Sequence, residues 1–292
     1  MTRRLRVDWP ADLGSAWAGQ TVRILAVSDE VDRGLESEVN RIALGRLDLI
    51  VGCGDLDPAY LAMVGDAFRV PLVYVRGNHD RGANWQAHSR FLPEQLPDGH
   101  AETVAGVDVI GLSWPGRRSG HADHDELAAW RQVLGAGVRA TFKRGPRLVI
   151  SHAPPLEAGD DPADPYHRGF RAYRWLAERL RPTLWLHGHT TVATSQSLTT
   201  QLGPTTIVNV TGAALIELVP VSSGSAATRS GLAEANQGKT DAAEQAPTDA
   251  PRTDASTAEP APVEPSQPRA RSSEAALAEP ESVASAGPRP GA

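Results

Sequence analysis

Strand-like and helix-like segments that alternate along the chain, joined mostly by short connections, predict an α/β fold with a largely buried sheet. The strand-like runs of this 292-residue chain are apolar almost without interruption, as in Val22-Arg23-Ile24-Leu25-Ala26-Val27-Ser28, the pattern of a strand covered on both faces. The segments between them carry apolar residues near helical spacing. A further observation concerns chemistry: short polar clusters sit at the ends of the apolar runs, where an open α/β sheet gathers its ligand-binding loops.

Residues 22–28 read as the first strand. Leu35, Val39, Ile42 and Leu44 follow close to helical spacing, and residues 49–53 are strand-like again, which makes a βαβ unit. The pattern repeats with a helix over 58–68, where Pro58 suits the first turn, and a strand over 72–75. Residues 85–100 have no clean period. Residues 104–114 look like two short strands meeting at Gly106, with Ala105-Gly106-Val107-Asp108 suggesting a hairpin. Helices over about 125–134 and 170–180 alternate with strands over 148–151 and 183–187, and the last strands cover 206–210 and 214–219. There is no internal repeat.

Composition divides the chain into a domain over residues 1–221 and a tail over 222–292. The tail has no Phe, Trp or Tyr and is rich in Pro, Ala, Ser, Thr and Glu. Such a segment cannot bury enough apolar surface to offset its ordering entropy and is expected to be disordered. Its six basic and ten acidic residues account for −4 of the whole chain's −6, so the domain is near neutral. A near-neutral domain without a basic run offers no electrostatic footprint for duplex nucleic acid. The single cysteine, Cys53, cannot form an internal disulfide and reads as a small buried hydrophobe. Arg3, Arg4 and Arg6 are followed by no apolar leader segment, and no run approaches a membrane span, so a cytoplasmic protein is expected.

The polar clusters are Ser28-Asp29-Glu30-Val31-Asp32, Gly54-Asp55, Gly77-Asn78-His79-Asp80, Ser151-His152 and His187-Gly188-His189. They offer oxygen and imidazole ligands and no thiolate, a donor set suited to hard or borderline divalent metals acting on phosphate. Any one of them has an ordinary structural reading as a turn or a helix cap. The ordered series, however, resembles the calcineurin-like metallophosphoesterase superfamily, whose pattern runs D-x-H, a G-D unit, G-N-H-D/E, a lone H and G-H-x-H. The likeness covers residues 22–219, and Gly77-Asn78-His79-Asp80 is its most specific part.

The resemblance implies a two-sheet sandwich flanked by helices and a two-metal phosphohydrolase. Asp55 would be the bridging carboxylate, Asn78, His152 and His189 would complete the second metal site, and Asp29 would belong to the first. His79 would contact the phosphate and protonate the leaving oxygen, with Asp80 orienting its imidazole. The first site departs from the family: Val31 and Thr191 stand where the family has histidines. Asp32 is either a substitute ligand or a helix cap. Mn²⁺ is the expected ion, with iron, zinc or Mg²⁺ as alternatives, at one or two per chain. The expected partner is a small phosphomonoester or phosphodiester, a nucleotide among the candidates, with no duplex nucleic acid and no membrane. The alternative from another class is a degenerate phosphate- or nucleotide-binding module without turnover. Asp164, His167 and Arg168 form a polar loop that either contacts substrate phosphate or caps the next helix, Trp114 is a candidate for the pocket wall, and His121, Asp123 and His124 have the spacing of a metal clip or a helix start.

Overall fold

The computed structural model describes residues 2–10, 19–116, 125–140, 147–191 and 198–221. Residues 222–292 and the His121, Asp123, His124 group lie outside the described residues. The chain forms β1 (Arg3–Pro10), β2 (Val22–Ser28), a 3-10 turn (Arg33–Glu36), α1 (Glu38–Leu44), β3 (Leu49–Gly52), α2 (Pro58–Phe68), β4 (Leu72–Tyr74), α3 (Gly82–Ser89) and β5 (Ala101–Val104). It continues with β6 (Val107–Leu112), α4 (Glu126–Ala140), β7 (Arg147–Ser151), α5 (Arg171–Leu180), β8 (Leu184–His187), β9 (Thr199–Leu202), β10 (Thr205–Asn209) and β11 (Gly212–Val221).

These strands make two mixed sheets, one ordered β1-β11-β2-β3-β4 and the other β5-β6-β7-β8-β10-β9. The near-continuous apolar runs follow from what lies on either side of each strand. Alternate residues point to opposite faces, so Ile24, Ala26, Leu49 and Val51 meet Leu148, Ile150, Leu184 and Leu186 between the sheets. Their sequence neighbours Leu25, Val27 and Ile50 pack outward with Leu35, Leu61 and Val64. On the other side Val149 and Trp185 pack with Ala129, Tyr173 and Leu176 of α4 and α5. Each fully buried aliphatic side chain stabilises the fold by roughly 1.5–3 kcal/mol, so both faces of a strand reward apolar residues. The outcome is a sandwich of two sheets flanked by helices.

Four elements depart from the sequence expectation. β1 is an edge strand paired in parallel with β11 from Arg3↔Ala214 to Pro10↔Val221. It buries only Val7 and Trp9, and its arginines on the other face mask the pattern. β9 is a four-residue edge strand that hairpins onto β10. α3 covers part of the segment without a period and buries Trp85 while leaving most of its surface to solvent. α4 also runs six residues beyond the expected end at 134.

Strand direction decides where the polar clusters go. β2, β3 and β4 run parallel in one sheet, as do β6, β7, β8 and β10 in the other. Their carboxyl ends therefore deliver the loops carrying Asp29, Asp55, Asn78, His152 and His189 to one edge of the sandwich.

Candidate metal centre

The loops at that edge are locked to one another through the residues that carry the chemistry. Asp29, Asp55 and His189 all have left-handed backbones, with φ of 59°, 53° and 68°. Such a conformation costs a non-glycine residue free energy and persists only where the surroundings fix it. Here the N–H of each of the three bonds to a neighbouring loop: Asp29 N to Gly54 O at 3.1 Å, Asp55 N to Asp80 Oδ2 at 2.8 Å and His189 N to Asp29 Oδ2 at 2.9 Å. Asp80 Oδ2 also accepts from Gly77 N at 2.8 Å, and Asp55 Oδ1 accepts from His79 N at 2.8 Å. Two glycines allow the close approach. A Cβ at Gly77 would lie 2.1 Å from Asp55 Oδ1, and one at Gly188 would lie 2.2 Å from Asp29 Oδ2.

At the centre is His152, wholly buried. Its Nδ1 donates to Cys53 O at 2.9 Å, which leaves Nε2 as a lone pair in the neutral ring. That lone pair faces Asn78 Oδ1 at 2.8 Å, Asp55 Oδ2 at 3.2 Å and His189 Nδ1 at 3.2 Å. His189 Nε2 donates to Tyr166 O at 2.7 Å, so its Nδ1 is also a lone pair. Four electron-pair donors thus converge on a buried point, an arrangement that is repulsive unless a positive charge lies among them. Asp29 flanks this cluster, with a carboxylate oxygen within 4.8 Å of donor atoms of Asp55 and His152. Asp29, Asp55 and His152 therefore form a group that could hold a metal ion, with Asn78 Oδ1 and His189 Nδ1 adjoining it at His152 Nε2.

The electrostatics carry the same demand. Burial depresses the His152 pKa, but the Asp55 and Asp29 carboxylates outweigh it and hold the imidazole up at about 9. Burial also raises Asp55, yet the charge and hydrogen bond of His152 prevail and keep its carboxyl below the usual range. Asp29 is pushed up by burial, with Asp55 adding to the shift against His152, Ser28 and the His189 N–H. Burial lifts Asp80 to about 6, with the nearby Asp55 charge reinforcing the shift. His189 is held well below its ordinary value by burial and by the charge on His152. Metal binding must displace the proton that the carboxylates favour on His152.

A calcineurin-like phosphoesterase model matches residues 19–193. The chain belongs to this family. No curated protein matches it. One solved crystal structure superposes with a TM-score of 0.50 at 16% identity, covering 68% of this chain and 95% of the other. TT1561 of Thermus thermophilus gives a TM-score of 0.46 at 17% identity over 66% of this chain and 90% of that one. Wild-type Vps29 complexed with Zn²⁺ from Entamoeba histolytica gives 0.32 at 13% identity over 69% and 82%.

Within this phosphoesterase domain, the five expected ligands Asp29, Asp55, Asn78, His152 and His189 come together. His79 is exposed at the rim. Asp80 is buried, and its Oδ2 joins the Gly77 and Asp55 backbones, a framing role that its sequence context does not announce. Asp32 accepts from Gly34 N at 2.8 Å as cap of the 3-10 turn, and from Thr2 Oγ1 at 3.1 Å. The capping reading holds and the substitute-ligand reading has no support in the geometry. Val31 is 44% exposed. Trp114 does line the site, its ring 4.9 Å from that of His189 and 6.0 Å from that of His152. The 160–168 loop also reaches it: His167, whose Nδ1 donates to Asp164 Oδ2 at 2.6 Å, stands 5.1 Å from the His189 ring.

Sequence reasoning missed Thr211, whose hydroxyl lies 3.5 Å from Asp29 Oδ2 and donates to Thr190 O at 2.9 Å. It follows a parallel strand, in Asn209-Val210-Thr211, so the rule that found the other clusters applies to it too. The carbonyls of Cys53 and Tyr166, which orient the two imidazoles, carry no sequence signal.

Proposed function

We propose that this chain is a metal-dependent phosphohydrolase acting on a small phosphomonoester or phosphodiester. The observation that supports this reading is the buried convergence of three electron-pair donors, Asn78 Oδ1, Asp55 Oδ2 and His189 Nδ1, on His152 Nε2, with the exposed His79 next to Asn78 in the chain. Asp55 and His152, with Asn78 and His189 adjoining, would hold a divalent ion, which would supply Lewis acidity toward a phosphoryl oxygen and activate water. The Cys53 and Tyr166 carbonyls fix each imidazole with its free nitrogen facing inward. His79 is anchored through its own N–H to Asp55 Oδ1 and is exposed, and we assign its imidazole to protonate the leaving oxygen. Trp114 shields the imidazoles from solvent on one side. Mn²⁺ is the ion we assign.

The test uses the purified chain with Mn²⁺ and an activated aryl phosphoester. Hydrolysis is expected, and His79→Ala should lower kcat by about 10²-fold or more, the scale of general acid catalysis. Undiminished rates in both His79→Ala and Asn78→Ala would refute the assignment. A second reading, a phosphate- or nucleotide-binding module, is favoured by Val31 and Thr191 at the family's histidine positions. It predicts nucleotide-induced thermal stabilisation with no turnover under any metal.

A further inference from the structure

The family pattern calls for two ions that share a carboxylate, and the donors around Asp29 do not match that demand. We infer that this chain holds a single divalent ion, centred on Asp55 and His152 with Asn78 and His189 adjoining, and that Asp29, whose Oδ2 ties loops together, founds no second metal site. This rests on reading the donor cluster as a metal centre.

Four observations carry it. First, Asp29 Oδ2 accepts from Ser28 Oγ at 2.6 Å and from His189 N at 2.9 Å, with Thr211 Oγ1 standing 3.5 Å away. With Oδ2 held by these donors, Oδ1 is the Asp29 atom left to face an ion, so Asp29 contributes one ligand at most. Secondly, those donors are themselves built in. Ser28 and Thr211 are buried, and Thr211 is held by its bond to Thr190 O and by the Asn209 side chain accepting from its backbone N–H. Arg3 secures the same turn from β1, donating to Asn209 O at 3.0 Å and Thr211 O at 2.7 Å. Thirdly, both family histidines are absent, with Val31 and Thr191 in their places. Val31 cannot coordinate, and Asp32 is spent on capping Gly34 N. Fourthly, the one group of His, Cys, Asp or Glu donors close enough to bind metal among the described residues is Asp29, Asp55 and His152. Those three donors are close enough to serve one ion, and no further His, Cys, Asp or Glu among the described residues is close enough to complete a second site.

The measurement is metal stoichiometry on the full chain, purified without chelator, loaded with excess Mn²⁺ and desalted, with electron paramagnetic resonance as the second readout. One Mn²⁺ per chain and the spectrum of an isolated ion are expected. Two ions per chain with an exchange-coupled spectrum would overturn the single-ion inference and leave the hydrolase reading standing. No bound ion would bring down that reading itself. The complementary variant is V31H/T191H, which should raise the count to two and introduce coupling. A folded V31H/T191H protein that still holds one ion would overturn the assignment of the loss to these two positions. The wild-type count decides the central point even where that variant does not fold.

Discussion

Around His152 the loops turn four electron-pair donors onto one another, so that a proton or a cation must answer them, whereas around Asp29 they bring two donors to one carboxylate oxygen. Both sides are made by the same device, a parallel strand ending in a left-handed residue whose N–H is caught by a neighbouring loop. Both also need a glycine where a Cβ would collide with a carboxylate. What separates them is whether lone pairs are left unanswered. A loop scaffold can therefore be retained on one side as a demand for a cation and on the other as a satisfied hydrogen-bond network.

The largest expected effect comes from the unanswered side. His152→Ala removes one ligand and the partner of the Asp55 carboxylate, and leaves Cys53 O without its donor. Mn²⁺ affinity measured by calorimetry should fall by more than about 10²-fold, beyond the cost of losing a group that only orients a ligand. Removing one partner of a buried charged pair also costs roughly 3–5 kcal/mol of stability. Thr211→Val, on the satisfied side, should cost about 1 kcal/mol, the scale of a single hydrogen bond, and leave affinity within a few-fold. Comparable losses of affinity in both variants would erase the distinction between the two sides.

An intermediate effect should appear in pH dependence. The carboxylates of Asp55 and Asp29 raise the folded-state pKa of His152 from its ordinary 6.5 to about 9 despite burial. A raised pKa means that this group's contribution to stability is fully present below pH 6.5 and is lost as pH rises through 9. Asp80, raised to about 6, loses its own contribution earlier and adds little above neutrality. The chelated protein should therefore melt at a lower temperature at about pH 9 than at about pH 6.5. Saturating Mn²⁺ should remove or reverse that order, because the ion takes the place of the proton on Nε2 and competes better as protons become scarce. A melting temperature independent of pH over this range in chelator would argue against the convergent lone pairs.

Much of this was legible in the sequence because it depends on local order along the chain. The doubly covered strands announce themselves as apolar runs, since Ile24 and Leu25 are buried on opposite faces of β2. The clusters then follow from where those runs stop. α2 was readable to the residue because Asp57 caps it through Ala59 N and Pro58 opens it. What escaped depends on long-range contact. β1 pairs with a strand near the far end of the domain, and its alternating arginines hide Val7 and Trp9. The pairing of sheets came from family resemblance, since periodicity tells that a strand is covered and not by what. The balance at Asp29 escaped as well, because Ser28, His189 and Thr211 reach one oxygen from three separate stretches of chain.

The smallest expected effect is at Asp32, three residues from Asp29 and the one remaining aspartate in that loop with a claim on a metal. Its Oδ1 accepts from Gly34 N at 2.8 Å, and Oδ2 accepts from Thr2 Oγ1 at 3.1 Å. Asparagine offers the same carbonyl oxygen to Gly34 and caps about as well as aspartate. Its amide nitrogen can take Thr2 Oγ1 as an acceptor, so Asp32→Asn should change stability by no more than about 0.5 kcal/mol. Ion stoichiometry and Mn²⁺ affinity should be unchanged, because the side chain points its oxygens at the 3-10 turn and the start of β1. A ligand would behave otherwise, since replacing a carboxylate by an amide removes the charge that a hard cation selects. A drop in bound Mn²⁺ in Asp32→Asn, with melting temperature preserved, would place this carboxylate in the metal centre and give the Asp29 side a second ion after all.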